Sequence, residues 1–184
     1  MKRCTLILAL ACVATHMQTA AAADSKPFKG VRDKLVVQAD PQHVWQVIRA
    51  LRNDDPGDVK TISQTPTENI LEETFDDLPI IGKAKCRYRE TYTPFEKIEY
   101  RMISSDHFKA FEGSWVLTPV SNGSKTVVEL SSYVDTGLVV PFVHQLTNLA
   151  TARNVRGRLE DVKKAVESRL SRGGSTQSLS QSSL

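Results

Sequence analysis

The apolar positions near the start of the chain predict one strand followed by one helix. Residues 31–39 have the apolar content of a strand. Asp40-Pro41 then favours a helix start, because an N-cap aspartate accepts hydrogen bonds from free amides and a proline at the first helical position has no amide to leave unpaired. The apolar residues of this helix recur at spacings of three and four: Val44, Trp45, Val47, Ile48 and Leu51. Turn-forming residues at 53–57 end it.

From residue 59 to Pro141 the period changes to two, which predicts antiparallel strands. Asn122-Gly123 predicts a tight hairpin between the last two, since both residue types tolerate a positive φ. The candidate strands cover residues 59–65, 69–75, 84–93, 97–104, 108–119 and 126–134.

A second helix is predicted from Pro141 to Leu170. We interpret its apolar residues as one face about eight turns long: Phe142, Leu146, Leu149, Val155, Leu159, Val162, Val166 and Leu170. The interleaved basic residues indicate a solvated back: Arg153, Arg156, Arg158, Lys163, Lys164 and Arg169. Because such a helix needs a broad partner, the expected fold class is α+β, a curved antiparallel sheet wrapped around this C-terminal helix.

The two ends of the chain differ from the middle. Residues 1–23 have the basic start, apolar run and small residues of a secretory signal peptide, with cleavage expected after Ala23. A membrane anchor and a lipoprotein with Cys12 as the lipidated residue are the weaker alternatives. The expected organisation is a linker at 24–30, one domain at 31–171 and a disordered Ser-rich tail at 172–184, in a periplasmic or secreted protein.

Charge and special residues exclude several classes of function. Loss of Lys2 and Arg3 leaves 22 of the 24 basic residues against 21 acids, so no strong nucleic-acid footprint remains. Cys86 is then the single cysteine, and no internal disulfide is expected. The histidines His43, His107 and His144 lack metal-site or nucleophile spacing, so we expect no metal, no cofactor and no recognisable catalytic group.

The order of elements and several motifs resemble the START-like, or SRPBCC, superfamily. The motifs are A-D-P-x-x-V-W from Ala39, G-S-W-V-L-T-P from Gly113, and T-V-V from Thr126, followed by the long helix. Over residues 31–170 the chain is similar to the polyketide cyclase/dehydrase and coenzyme Q-binding branches. The resemblance implies a helix-grip fold, in which a sheet of about seven strands holds the C-terminal helix over a deep apolar cavity for lipids, sterols, quinones or polyketides.

Alternation along the strands predicts which residues would face such a cavity. The expected ligand contacts are Tyr88, Glu90, Tyr92, Tyr100, Met102, Phe111, Trp115, Leu117 and Leu130. The same spacing is typical of solid core, and both interpretations stay open. Glu90 shares its face with tyrosines and is the candidate polar contact, whereas Glu129 is expected to face outward.

Two apolar segments lie where polar loops are expected, one after the strand at 69–75 and one before the long helix. They either form a gate for the ligand or cap the core. The candidate gate residues are Leu78, Ile80, Ile81, Leu138 and Val139.

Three classes of function follow from these expectations. The first is an exported protein that binds a hydrophobic small molecule, with transient membrane contact as an expected partner interaction. The second is a cyclase or dehydratase acting on a polyketide-like substrate, in which Glu90 or a tyrosine moves protons. The third is a protein-interaction domain whose cavity is filled by its own side chains.

Overall fold

The computed structural model describes residues 28–53, 58–78 and 80–178. The predicted signal peptide and residues 24–27 of the predicted linker lie outside these ranges. In the described ranges no helix is long and apolar enough to cross a bilayer. The elements are β1 (Val31–Val37), α1 (Pro41–Asn53), β2 (Val59–Gln64), β3 (Glu68–Leu78), β4 (Gly82–Thr93), β5 (Lys97–Ser105), β6 (Ala110–Val120), β7 (Lys125–Asp135) and α2 (Val143–Ser178).

The seven strands form one antiparallel sheet in the order β1-β7-β6-β5-β4-β3-β2. Strands β2 to β7 each pair with their neighbour in sequence, whereas β1 pairs with β7 at the far edge, with Leu35 opposite Val128. Helix α2 lies against β1, β7 and α1. The predicted helix-grip class is therefore confirmed, and β1 completes the sheet.

Strand β4 shows most plainly why these residues form a two-faced sheet. Its buried row is Ala84, Cys86, Tyr88, Glu90 and Tyr92, and the residues between them are exposed. On the outer side Arg87 donates to Glu72 of β3 at 2.8 Å. Such exposed pairs contribute little because solvent screens them, whereas burying one large apolar side chain contributes about 1.5–3 kcal/mol. The inward row therefore holds the sheet against the helices.

Helix α1 begins as the sequence predicts. The Oδ1 of Asp40 accepts a hydrogen bond from the His43 amide at 3.0 Å, and Pro41 is the first helical residue. The same hydrogen bond from the His43 amide holds the pKa of Asp40 below its ordinary value. Trp45 on the buried face packs edge-on against Tyr92 at 5.9 Å between ring centroids, which fixes α1 across that end of the sheet.

The apolar residues of α2 do not form the single face that the sequence predicted. Val155, Leu159, Val162 and Val166 are at most 2% exposed and belong to the core. Phe142, Leu146 and Leu149 are 73%, 42% and 51% exposed. The reason is the step of six residues from Leu149 to Val155, which at about 3.6 residues per turn is a rotation of roughly 240°. The prediction of one continuous face is wrong, because that step moves the apolar residues to another side.

The ends of α2 also differ from the prediction. The helix starts at Val143 rather than Pro141, because Phe142 has a φ of 61°, outside the helical region. It runs to Ser178, so residues 172–178 are helical where the sequence predicted a disordered tail. Where this extension begins, the Arg172 guanidinium donates to the Ser168 carbonyl one turn back at 3.3 Å. Residues 179–184 lie outside the described residues.

Candidate functional site

A cavity of about 740 Å³ lies between the two helices and the β2 side of the sheet. Its apolar lining comes from both helices and four strands: Ile48, Leu51, Val59, Phe75, Tyr88, Trp115, Val162 and Ala165. Its polar and charged lining is Asp58, Glu73, Thr74, Asp76, Asn154, Arg158, Asp161, Lys164 and Ser168. The cavity is therefore mainly apolar in its large side chains, with charges just before β2, on β3 and on α2.

Three polar side chains meet at the wall of this cavity. The Oε1 of Glu73 on β3 accepts a hydrogen bond from Nη2 of Arg158 on α2 at 2.5 Å. Its Oε2 accepts a second bond from the Tyr88 hydroxyl on β4 at 2.7 Å. Two-residue alternation puts Glu73 and Tyr88 on the inward face of their strands, and Arg158 precedes the buried Leu159 on the helix. We call Glu73, Tyr88 and Arg158 the polar cluster.

The charges of the polar cluster compensate one another. The Glu73 side chain is 6% exposed and that of Arg158 is 36% exposed. Burial alone would lower the pKa of the Arg158 guanidinium, but the nearby Glu73 and Tyr88 outweigh it and the pKa is raised. The Arg158 guanidinium is therefore charged at neutral pH. A guanidinium has five N–H donors, and the bond to Glu73 uses Nη2, so the fork can also donate to a polar group of a ligand.

The structure brings two of the predicted ligand contacts, Tyr88 and Trp115, to the cavity wall. Met102 is half-buried and packs against the core. The others are buried in the core away from the lining of this cavity: Glu90, Tyr92, Tyr100, Phe111, Leu117 and Leu130. Their roles as ligand contacts stay predictions.

Glu90 is 1% exposed, and its Oε2 accepts a hydrogen bond from the Tyr92 hydroxyl at 2.9 Å. Its partner in the strand register on β3 is Asn69, four residues before Glu73. Glu129 faces outward as expected and pairs with Arg32 at 3.2 Å. An inward carboxylate was predicted at Glu90 on β4, but the buried carboxylate that lines the cavity is Glu73 on β3.

Aromatic side chains fill the sheet next to the cavity. Phe111 packs against Phe75, Tyr88 and Tyr100 with ring centroids 5.0–5.3 Å apart. The Tyr100 ring crosses the strand at Gly113, where an added Cβ would lie 2.3 Å from its hydroxyl oxygen. This hydroxyl donates to the Ser131 carbonyl at 2.8 Å. The cluster forms a rigid wall that supports Tyr88.

The sequence interpretation missed Glu73 and was wrong for Arg158, which it placed on the solvated back of the helix. The signal for Glu73 was its place in the alternation Asn69, Leu71, Glu73 and Phe75. Nothing local to Arg158 shows its partner, because the two residues are 85 positions apart. Arg156 does lie on the surface, where it pairs with Glu160 at 2.7 Å.

The two predicted gate segments lie at the same end of the sheet. Leu78 and Gly82 close the β3–β4 turn, and antiparallel pairing carries that end through β5 and β6 to Asp135, where β7 ends. Ile80 and Val139 are 59% and 97% exposed. Leu138 and Ile81 are half-buried, and none of the predicted gate residues lines the 740 Å³ cavity. Their role as a gate stays a prediction.

Within the described ranges no group of His, Cys, Asp and Glu residues is arranged to hold a metal ion. His43 bonds the Asp40 carboxylate at 2.6 Å. Cys86 is free and buried. Burial, with Glu73 and Asp106 nearby, raises the pKa of its thiol to about 12, so it is protonated and unreactive at neutral pH.

The chain matches a known protein family and several solved structures. The model of the family "Polyketide cyclase / dehydrase and lipid transport" matches residues 30–167. No curated protein matches the chain. Among solved structures, the Zhui aromatase/cyclase from Streptomyces sp. R1128 has a TM-score of 0.65 at 16% identity, covering 76% of this chain and 94% of that one.

Two further solved structures have the same fold. A protein from Thermus thermophilus has a TM-score of 0.62 at 19% identity, covering 76% of this chain and 97% of that one. A START superfamily protein from Mycobacterium smegmatis has a TM-score of 0.52 at 15% identity, covering 77% and 97%. At these identities the likeness shows the fold alone.

Proposed function

Because the chain belongs to the polyketide cyclase/dehydrase and lipid transport family, we propose that it binds a hydrophobic small molecule in the 740 Å³ cavity. The observation that carries this proposal is the combination of an apolar wall with one polar cluster. Ligand sites in proteins are typically about 300–1,000 Å³, mostly apolar, with a few placed polar groups that fix the orientation of the ligand. The cavity has this size and this division.

The charges favour a ligand that carries no negative charge. The acidic lining residues are Asp58, Glu73, Asp76 and Asp161, and the basic ones are Arg158 and Lys164. Arg158 is already neutralised by Glu73, so an added carboxylate would be an uncompensated charge in a partly buried site. A hydroxyl or carbonyl oxygen can accept from the remaining Arg158 donors without that cost. We therefore expect sterol-, quinone- or polyketide-like molecules to bind in preference to fatty acids.

Tryptophan fluorescence provides the test. The chain has two tryptophans: Trp115 lines the cavity, and Trp45 on α1 packs against Tyr92 outside the cavity lining. A Trp45→Phe variant therefore reports on the cavity alone. A quinone analogue should quench Trp115, and hexadecanol should compete at least about tenfold better than hexadecanoate of equal length. Equal competition by the two would contradict the charge argument.

A cavity-filling variant gives the matched control. Ala165→Phe adds a ring to the cavity lining and should abolish quenching of Trp115. Val36→Phe adds the same ring at a position 43% exposed on β1 and should leave quenching unchanged. If quinone quenches both variants alike, the ligand is bound elsewhere and the proposed function fails.

A cyclase or dehydratase activity is the second candidate. It is supported by the likeness to an aromatase/cyclase and by a tyrosine hydroxyl and carboxylate in contact at the cavity wall. In that case Tyr88→Phe, which keeps the ring and removes the hydroxyl, would stop turnover of a polyketide-like substrate while binding persisted. A protein-interaction domain with a filled interior is less well supported, because of the volume of the cavity.

The proposal includes export. It is supported by the basic, apolar and small-residue pattern of residues 1–23. Mass spectrometry of protein recovered from a bacterial host should give a mature chain that starts at Asp24. Recovery of the uncleaved chain would contradict export. Native mass spectrometry of the same sample should show a co-purified ligand.

A further inference from the structure

The start of α2 carries an exposed apolar surface. Val139, Phe142, Leu146 and Leu149 are 97%, 73%, 42% and 51% exposed, and we call these four residues the α2 patch. Ile80, 59% exposed in the β3–β4 turn, lies at the same end of the sheet. A concentration of large apolar side chains in solvent marks an interaction surface.

The patch is a separate feature from the buried face of α2. Leu146 and Leu149 are three residues apart on α2 and form one stripe, and Phe142 lies immediately before the helix. The step of six residues to Val155 separates this stripe from the face that packs on the sheet. Arg153, four residues after Leu149, continues the stripe and is exposed. The outer side of the helix is thus apolar at its start and cationic three turns later.

Charge identifies the kind of partner. Residues 136–159 contain no aspartate or glutamate but three arginines. Arg156 is paired with Asp33 at 3.2 Å and Arg158 with Glu73, so Arg153 is the arginine that the stripe presents. An anionic partner complements this surface. A second copy of the chain would bring two acid-free segments of like charge together across a symmetric interface.

We propose that the α2 patch docks the protein on the surface of an anionic phospholipid bilayer. Phe142 and Leu146 enter the boundary between headgroups and acyl chains, and Arg153 reaches back to a lipid phosphate through its apolar stem. The patch is a peripheral contact, since the described part of the chain has no spanning helix. This inference concerns the outside of α2 and goes beyond ligand binding in the cavity.

Vesicle sedimentation with protein recovered from an exporting host tests the proposal. The protein should pellet with vesicles of phosphatidylcholine and phosphatidylglycerol, several-fold less with phosphatidylcholine alone, and less as salt is raised. Phe142→Ser combined with Leu146→Ser should lower the partition coefficient about tenfold or more. The control, Val36→Ser combined with Ile62→Ser, removes apolar groups 43% and 42% exposed on β1 and β2 and should change it less than about twofold.

Further variants and readouts separate the outcomes. Arg153→Gln should weaken binding to anionic vesicles and leave the weak binding to phosphatidylcholine unchanged. Absence of vesicle binding, or equal losses in the patch and control variants, overturns the proposal. The proposal is also overturned if the protein does not bind vesicles but forms a dimer in sedimentation equilibrium, and the patch substitutions dissociate that dimer. Trp115 quenching by a soluble quinone should be unchanged in the patch variant, so docking and cavity binding fail independently.

Discussion

Removing one member of the Glu73–Arg158 pair should cost far more than removing both. Arg158→Met leaves the 6% exposed Glu73 carboxylate without its cation, a change that costs about 3–5 kcal/mol for a fully buried pair. The Arg158 side chain is 36% exposed, so solvent screening puts the expected loss near the lower limit, about 3 kcal/mol. For a domain of this size that loss is roughly 6–12 °C in Tm.

The double variant Glu73→Leu with Arg158→Met removes both charges and supplies apolar groups of similar length. Its free energy of unfolding should lie within about 1 kcal/mol of that of the original protein, because apolar replacement of a buried pair is often neutral. The two substitutions are therefore strongly non-additive. Lys163→Met is the matched control, since Lys163 pairs with Glu167 on the exposed side of α2 at 2.6 Å and should lose at most about 0.5 kcal/mol.

Urea unfolding followed by circular dichroism measures these differences as shifts in midpoint at constant slope. The reasoning is refuted if Arg158→Met loses no more stability than Lys163→Met. It is also refuted if the double variant loses the sum of its two single losses, because additivity would mean that the charges do not interact.

Three further predictions concern the frame around the site. Gly113→Ala should destabilise the protein by about 1–3 kcal/mol, because the new Cβ would meet Tyr100 and a carbonyl oxygen. Gly157→Ala has open space on α2 and should stabilise the protein by up to about 1 kcal/mol. Thermal unfolding measures both changes. Cys86, whose thiol pKa is raised to about 12, should resist iodoacetamide at pH 8 until urea unfolds the chain, as mass spectrometry would show. Because the pKa of Asp40 is lowered, its helix cap should give its full stabilisation above the ordinary aspartate pKa and lose it as the pH falls through the pKa of the folded state. Asp40→Asn should remove this pH dependence of the urea midpoint.

The strands and α1 could be predicted because their signals are local. Alternation in β4 assigns each residue to a face whatever lies opposite, and Asp40-Pro41 specifies a helix start through its own hydrogen bond. The observed strand ends differ from the predicted ones by a few residues. Strand β3, for example, runs from Glu68 to Leu78, because pairing with β4 extends it beyond its apolar run.

The candidate site was predictable only in part, because its chemistry depends on contacts between distant elements. Tyr88 and Trp115 were found from alternation. The wall that they complete also needs Ile48 from α1 and Ala165 from α2, which no local pattern marks as facing a cavity. Glu73 shows the same limit, since an inward carboxylate acquires its role from an arginine on another element.

Helix α2 connects the two proposals through the spacing of its apolar residues. A single stripe along its whole length would have buried Leu146 and Leu149 with Val155 and left the outer side uniformly polar. The six-residue step instead divides the helix into a core-packing half from Val155 and a first half in which Leu146 and Leu149 face solvent. Arg158 lies just beyond that step, so the same helix provides the cation of the cavity on its inner side and an apolar, acid-free surface at its start. A ligand leaving a bilayer would meet both features on one rigid element.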